Sequence, residues 1–99
     1  MRIVVKKVGQ LPEVMEIENE LNVFQDIVGG CIECFPVFSN VLCVCNEEGK
    51  LKGLPVNFYT AGDFIVGDVF FCAERGFEFI SLSDLQTQAL IAAFSEEKY

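Results

Sequence analysis

Histidine and tryptophan are both absent from the 99 residues. Without histidine there is no Ser-His-Asp or Cys-His catalysis, no histidine metal ligation, and no use of the commonest general base near neutral pH. An enzyme built on this chain is confined to carboxylates, thiols and lysines. Positive charge is scarce too: 7 Lys and Arg against 15 Asp and Glu give a formal charge of −8. The bases fall in small groups, Arg2 with Lys6 and Lys7, Lys50 with Lys52, then Arg75 and Lys98, too sparse to track a phosphate backbone. Direct nucleic-acid binding and attraction to anionic membranes are therefore disfavoured. Long hydrophobic runs are also missing. "VLCVC", Val41 to Cys45, falls far short of the roughly 20 residues that cross a bilayer, so no membrane span is expected. The start "MRIVVKKVG" has neither the apolar h-region nor the cleavage site of a signal peptide. The expectation is a cytoplasmic protein.

What the chain does have is core material. Apolar residues make up 52%, ten are Phe, and the mean hydropathy is +0.38. A domain of this length can bury a single core with little margin, and the surplus suggests apolar surface for a protein partner, a homodimer included. The five cysteines, an odd number in apolar segments, are expected to be reduced and buried rather than a disulfide framework. Cys31-x2-Cys34 and Cys43-x-Cys45 tempt a zinc reading, but strand alternation sends Cys31 and Cys34 to opposite faces, and no glycine knuckle lies within either pair. No metal and no other cofactor is expected.

The patterning predicts one α+β domain over 1–99: a mostly antiparallel sheet of about five to seven strands with two helices packed on it, in the order ββαββ(β)ββα. "RIVVKKV" and "EVMEIE" form a hairpin across Gly9 to Pro12, with Met15 and Ile17 buried and Glu16 and Glu18 wet. Asn19 caps a helix from about 20 to 28, Gly29 ends it, and Gly30 allows close approach of a neighbour. "CIECFPVF" and "VLCVCN" turn through Ser39 and Asn40, and Pro36 argues for an edge strand or a bulge. "DFIVGDVFFCAE" and "FEFISL" pair through Arg75 and Gly76, with a bulge at Gly67. Ser83 and Gln86 form a capping box. It opens a last helix near Asp84 that runs toward Glu96 with a wide apolar arc of Leu85, Ala89, Leu90, Ala92, Ala93 and Phe94.

The stretch "CNEEGKLKGLPVN", Cys45 to Asn57, admits two readings. As a turn, Asn46 takes the first position, Glu47 and Glu48 the centre, and Gly49 the positive φ of a G1 bulge leading into a strand "KLKGL", which Gly53 and Pro55 end. Adjacent carboxylates on an exposed tip lack the asymmetry that general acid and base work requires. Turn rules leave Asn57 and Thr60 unexplained, so they either tie the following loop through side-chain to backbone bonds or contribute to a site. Two functions are therefore weighed. The first is a non-enzymatic acidic interaction module that binds a protein partner, of which a DNA mimic is one version. The second is a small-ligand binder or carboxylate-based enzyme with a groove near Asn46, Asn57 and Thr60, where Glu33 or Glu47 is acid or base and Glu48 stands close by. A buried, convergent polar cluster favours the ligand, and a flat acidic face the partner.

In the order "VGGCIE", "CNEEGKLKGLPVN", "FIVGDV" and "SLSD", the chain resembles a family of small proteins known as domain of unknown function 3846, over nearly its whole length. The resemblance rests on Gly29 and Gly30, on Ile32 and Glu33, on Asn46 to Leu51, on Gly53 to Pro55, on Asn57 and Thr60, and on Ile65 to Gly67. It implies an origin in bacteria, their phages or mobile elements, and no established activity. Two positions depart from the family pattern. Cys31 replaces an aromatic after the double glycine. Phe58 and Tyr59 replace the Arg-Ala of an Asn-Arg-Ala-Thr run, which removes the basis for carrying over an anion-binding role.

Overall fold

The computed structural model describes residues 1–60 and 62–95. In chain order its elements are β1 (Arg2–Lys6), β2 (Glu13–Glu16), α1 (Leu21–Val28), β3 (Ile32–Phe38), β4 (Val41–Asn46), β5 (Val56–Thr60), β6 (Asp63–Val66), β7 (Val69–Arg75), β8 (Glu78–Ile80) and α2 (Asp84–Ser95). Six strands form one antiparallel sheet in the order β2-β1-β7-β4-β3, with β8 pairing the end of β7, and β5 and β6 form a separate antiparallel hairpin. The fold is the expected single α+β domain. It has eight strands because two stretches divide differently from the sequence reading. Val56–Thr60, expected as loop, pairs with Asp63–Val66. The long strand expected through 63–74 breaks at Gly67, whose φ of 75° is no bulge but a corner, delivering β6 to the hairpin and β7 to the main sheet.

The central strands are apolar throughout because both faces of the sheet are covered. Along β7, Val69, Phe71 and Ala73 face one side with Val41, Cys43 and Cys45 of β4, and they pack against Leu90 and Phe94 of α2 and Phe58 of β5. Phe70 and Cys72 face the other side with Leu42 and Val44, against Phe24 and Val28 of α1. Each face is a separate core of alternating residues, so the period-2 signal vanishes in β4, where all six residues are buried. β2, by contrast, is exposed on both faces, Met15 included, because it is an edge strand beyond the reach of either helix. Only Ile17 beside it packs on the α1 core.

The helix termini show which local signals held. Ser83 and Gln86 make the reciprocal bonds of a capping box, Gln86 N–H to Ser83 Oγ at 3.1 Å and Ser83 N–H to Gln86 Oε1 at 2.8 Å. The arc of α2 is narrower than expected: Leu90 and Phe94 are buried, while Leu85 is 79% exposed and Ala89, Ala92 and Ala93 also face outward. Glu96, toward which this helix was expected to run, lies outside the described residues. α1 starts after Glu20 with no side-chain cap. Asn19 instead donates to the Phe79 carbonyl at 3.0 Å, tying the start of α1 to β8. Phe77, expected in a half-buried strand, is fully exposed at the β7–β8 turn. Pro36 sits where the sequence placed it, on the edge strand β3, beside a register shift between Pro36 and Phe38.

The segment after β4 is not a strand. A turn closes through Gly49 N–H to Asn46 C=O at 3.2 Å, one helical turn follows through Lys52 N–H to Glu48 C=O at 2.9 Å, and a Schellman pair ends it. In that pair Gly53 (φ 67°) donates to Lys50 C=O at 3.1 Å and Leu54 to Gly49 C=O at 3.0 Å. Gly53, not Gly49, carries the positive φ. Gly49 is required for space, since a Cβ there would stand 2.8 Å from Cγ2 of Val66. Gly49→Ala is therefore expected to cost about 1–3 kcal/mol by overpacking, and Gly49→Ala with Val66→Ala to cost less than the sum of the two single changes. Chemical denaturation of the four proteins checks this, and strict additivity would exclude the clash.

Candidate functional site

Two buried asparagines, Asn46, expected at the first position of a turn, and Asn57, left unexplained by the turn rules, tie separate elements of the fold together. Asn57 is 5% exposed. Its Nδ2 donates to the carbonyls of Lys6 at 2.7 Å and Gly67 at 2.8 Å, while its Oδ1 accepts from Lys6 Nζ at 3.0 Å. One amide thus joins the end of β1, the hairpin strand β5 and the corner between β6 and β7. Asn46, 7% exposed, donates to the Val28 carbonyl at 3.2 Å and accepts from Glu48 N–H at 2.8 Å, tying the end of α1 to the loop after β4. The side chain reaches Val28 past Gly30, where a Cβ would lie 2.9 Å from Asn46 Nδ2. Among the described residues no buried side-chain nitrogen or oxygen lacks a hydrogen-bond partner.

The hairpin and this loop together wall a groove of about 370 Å³ against the β3–β4 end of the main sheet. Phe35, Cys45, Ile65 and Val66 give it an apolar floor, Leu51 and Phe64 border it, and Glu33, Glu47, Lys50, Thr60 and Asp63 supply charged and polar groups. Of the residues singled out from sequence, Glu33, Asn46, Glu47 and Thr60 meet here. Glu48 lies outside the lining and pairs with Lys52 at 3.8 Å, and Asn57 is buried behind the hairpin. Sequence reasoning missed Lys50, Leu51, Asp63 and Phe64. Their only signal was a base and an acid thirteen positions apart, and that spacing carries no meaning until the hairpin folds back.

The charges in the groove are unequally satisfied. Lys50 Nζ lies 2.6 Å from Asp63 Oδ1 and 4.4 Å from the centre of the Phe64 ring, a cation held by a carboxylate and an aromatic face. Asp63 also accepts from Phe64 N–H at 2.7 Å. The Lys50 hydrogen bond, then the Phe64 N–H, hold its carboxyl below the usual range, which suits a standing ion pair rather than a proton donor. Glu33 and Glu47 have no ion-pair or side-chain hydrogen-bond partner among the described residues. Both are exposed, as are Lys50, Thr60 and Asp63. The groove thus lacks two buried carboxyls in contrasting surroundings, the usual basis of acid and base catalysis.

The thiols divide between core and surface. Cys43, Cys45 and Cys72 are buried as expected, but Cys31 and Cys34 are exposed because the edge strand leaves them uncovered. Burial, then the Glu33 carboxylate, pushes Cys45 up to about 11. Burial, then neighbouring Cys34, pushes Cys72 up to about 12, and Cys43 is raised still further by the same cause. No group of three or more Cys, Asp or Glu is placed to hold a metal among the described residues. Nor is any helix there long and apolar enough to cross a membrane.

A family model described as a domain of unknown function, DUF3846, matches residues 1–95. No curated protein and no solved structure matches the chain.

Three outcomes follow from this geometry. Asn57→Ala strips partners from two buried carbonyls and a lysine ammonium, and is expected to cost about 3 kcal/mol in denaturant unfolding. A loss under about 1 kcal/mol would exclude the three-way tie. For the thiols, a thiol-specific reagent at neutral pH should modify Cys31 and Cys34 in the folded protein and all five cysteines only after denaturation. Because the buried thiols are raised, their contribution to stability is complete below the ordinary thiol value of 9.0 and is lost as pH climbs through about 11 for Cys45 and about 12 for Cys72. Melting temperature against pH, compared with Cys45→Ala, reads that loss.

Proposed function

The chain belongs to the DUF3846 family, and from that premise we propose that it is a non-enzymatic acidic interaction module of a bacterial or mobile-element system, acting in the cytoplasm and binding a protein partner through the groove between the hairpin and β3. The observation that carries this reading is how the polar groups are spent. The buried amides of Asn46 and Asn57 are consumed by the chain's own backbone, whereas Glu33 and Glu47 stand exposed at the groove. A small-molecule site concentrates a few buried polar groups within apolar walls; this groove has the reverse arrangement, an apolar floor beneath a charged, wet rim, which is the anatomy of a protein interface. Leu51, 88% exposed, and Phe64, 39% exposed, add apolar area at the same rim. The groove's volume lies at the low end for ligand pockets and suits one or two side chains of a partner.

Photo-crosslinkable residues placed at Leu51 and Phe64, with Leu85 and Glu13 as controls far from the groove, test this in the host cell. A single protein species crosslinked from the groove positions, and lost on Glu33→Lys with Glu47→Lys, is expected. Native mass spectrometry of the protein purified from its own host reads the other outcome: a bound small molecule, with no protein crosslinked from Leu51 or Phe64, would overturn the reading.

A further inference from the structure

Resting on the reading of the groove as a partner site, we infer that its occupant is an extended peptide segment that adds to the open edge of β3 and seats a lysine or arginine side chain between Glu33 and Glu47. β3 is the last strand of the main sheet. The bond from Glu47 N–H to Cys31 C=O at 2.8 Å marks residues 31 and 47 as a hydrogen-bonded pair, and the register continues Glu33 with Cys45 and Phe35 with Cys43. Antiparallel ladders alternate, so Glu33 and Phe35 bond inward to β4, while Ile32 and Cys34 present their N–H and C=O groups outward. Pro36 shares the outward parity, which places its missing donor on the open side, where it costs no ladder bond. The register shift after Pro36 ends the regular edge there. What remains is a short template, long enough for a peptide and too short for open-ended sheet growth.

The side chains select the peptide. Glu33 and Phe35 lie on the groove side of β3, opposite Cys45 and Cys43 of the α2-facing core. An added strand turns every second side chain to that same side, about 4.5–5.5 Å from its neighbour on β3. Among the described residues Glu33 and Glu47 have no cation there, since Lys50 is held by Asp63 and Phe64 and Lys52 by Glu48. An incoming ammonium or guanidinium completes both carboxylates, and its aliphatic stem lies along Phe35 and Leu51. A second copy of this chain is the poorer occupant. Two β3 edges paired about a two-fold axis bring Glu33 carboxylates together, on molecules that each carry a charge of −8.

The probe is a capped heptapeptide alternating valine and lysine, compared with its valine–aspartate counterpart and with a version whose alternate backbone nitrogens are methylated. Amide NMR titration is expected to show the lysine peptide perturbing residues 32–35, 47 and 50–51, with no binding of the aspartate peptide. Affinity should fall about tenfold in Glu33→Gln with Glu47→Gln and be lost on methylation of the peptide. Cys34→Pro, which removes one outward donor, should stay folded and weaken binding. If that variant unfolds, the methylated peptide alone decides the edge. Equal binding of the methylated peptide, indifference to the glutamine variants, or perturbation centred away from β3 overturns the inference while leaving the groove as a partner site. The same holds if no peptide binds yet the groove crosslinks persist. If the crosslinks fail as well, the partner reading itself falls. Self-association through β3 in sedimentation, unaffected by the peptide, overturns the inference in favour of a second copy.

Discussion

Everything on the groove side of the molecule hangs on the amide of Asn57. The hairpin of β5 and β6 joins the main sheet by no ladder; the Phe58 ring packs against Phe71 and Phe94, Ile65 packs on the same core, Lys50 pairs with Asp63, and Asn57 shares three hydrogen bonds with Lys6 and Gly67. Ring packing is tolerant of direction, whereas an amide with two donors and an acceptor committed at fixed angles is not. The aromatic contact keeps the hairpin down, and the asparagine fixes where it lies. Because Lys6 ends β1 and Gly67 begins the turn into β7, the same residue also sets the distance from the hairpin to the two strands at the centre of the sheet.

This anchoring explains what could and could not be read from sequence. The signals that succeeded are self-contained: the Ser83–Gln86 box, the Gly29 stop, the Ser39–Asn40 turn with φ of 31° and 62°, and Pro36 on an edge. The first three are decided by neighbours within four residues, and the proline marks an edge because it lacks a backbone donor. The failures needed a distant partner. Gly49 looked like a turn glycine, but its constraint is a Val66 methyl seventeen positions away. Asn19 looked like a cap, yet its side-chain amide donates to the Phe79 carbonyl. Gly67 looked like a bulge within one strand because nothing in "FIVGDV" says that the two halves enter different sheets. The groove was half legible: Glu33, Asn46, Glu47 and Thr60 were singled out on residue type, while Lys50 and Asp63 come together only when the hairpin folds back against the loop after β4.

The division of polar groups is the functional content of the fold. Inside, every buried side-chain donor and acceptor among the described residues is matched, so the interior makes no demand on a ligand. At the groove, charge is unmatched and apolar surface is uncovered, and both costs are borne by the free protein. A protein of charge −8 with a surplus of carboxylates at one concave place carries a field that gathers cationic groups before contact, raising the rate of encounter more than the final affinity.

The two cores are separated by a single sheet, with successive residues of β4 and β7 serving opposite sides. They meet at the sheet backbone, and Asn46, which donates to the Val28 carbonyl and accepts from Glu48 N–H, also ties the end of α1 to the loop that walls the groove. Phe70 and Val44 pack on the α1 side, whereas Phe71 and Cys43 share their core with Phe58 of the hairpin. A change of packed side chains in the α1 core therefore meets the groove through the bond from Asn46 to the Val28 carbonyl.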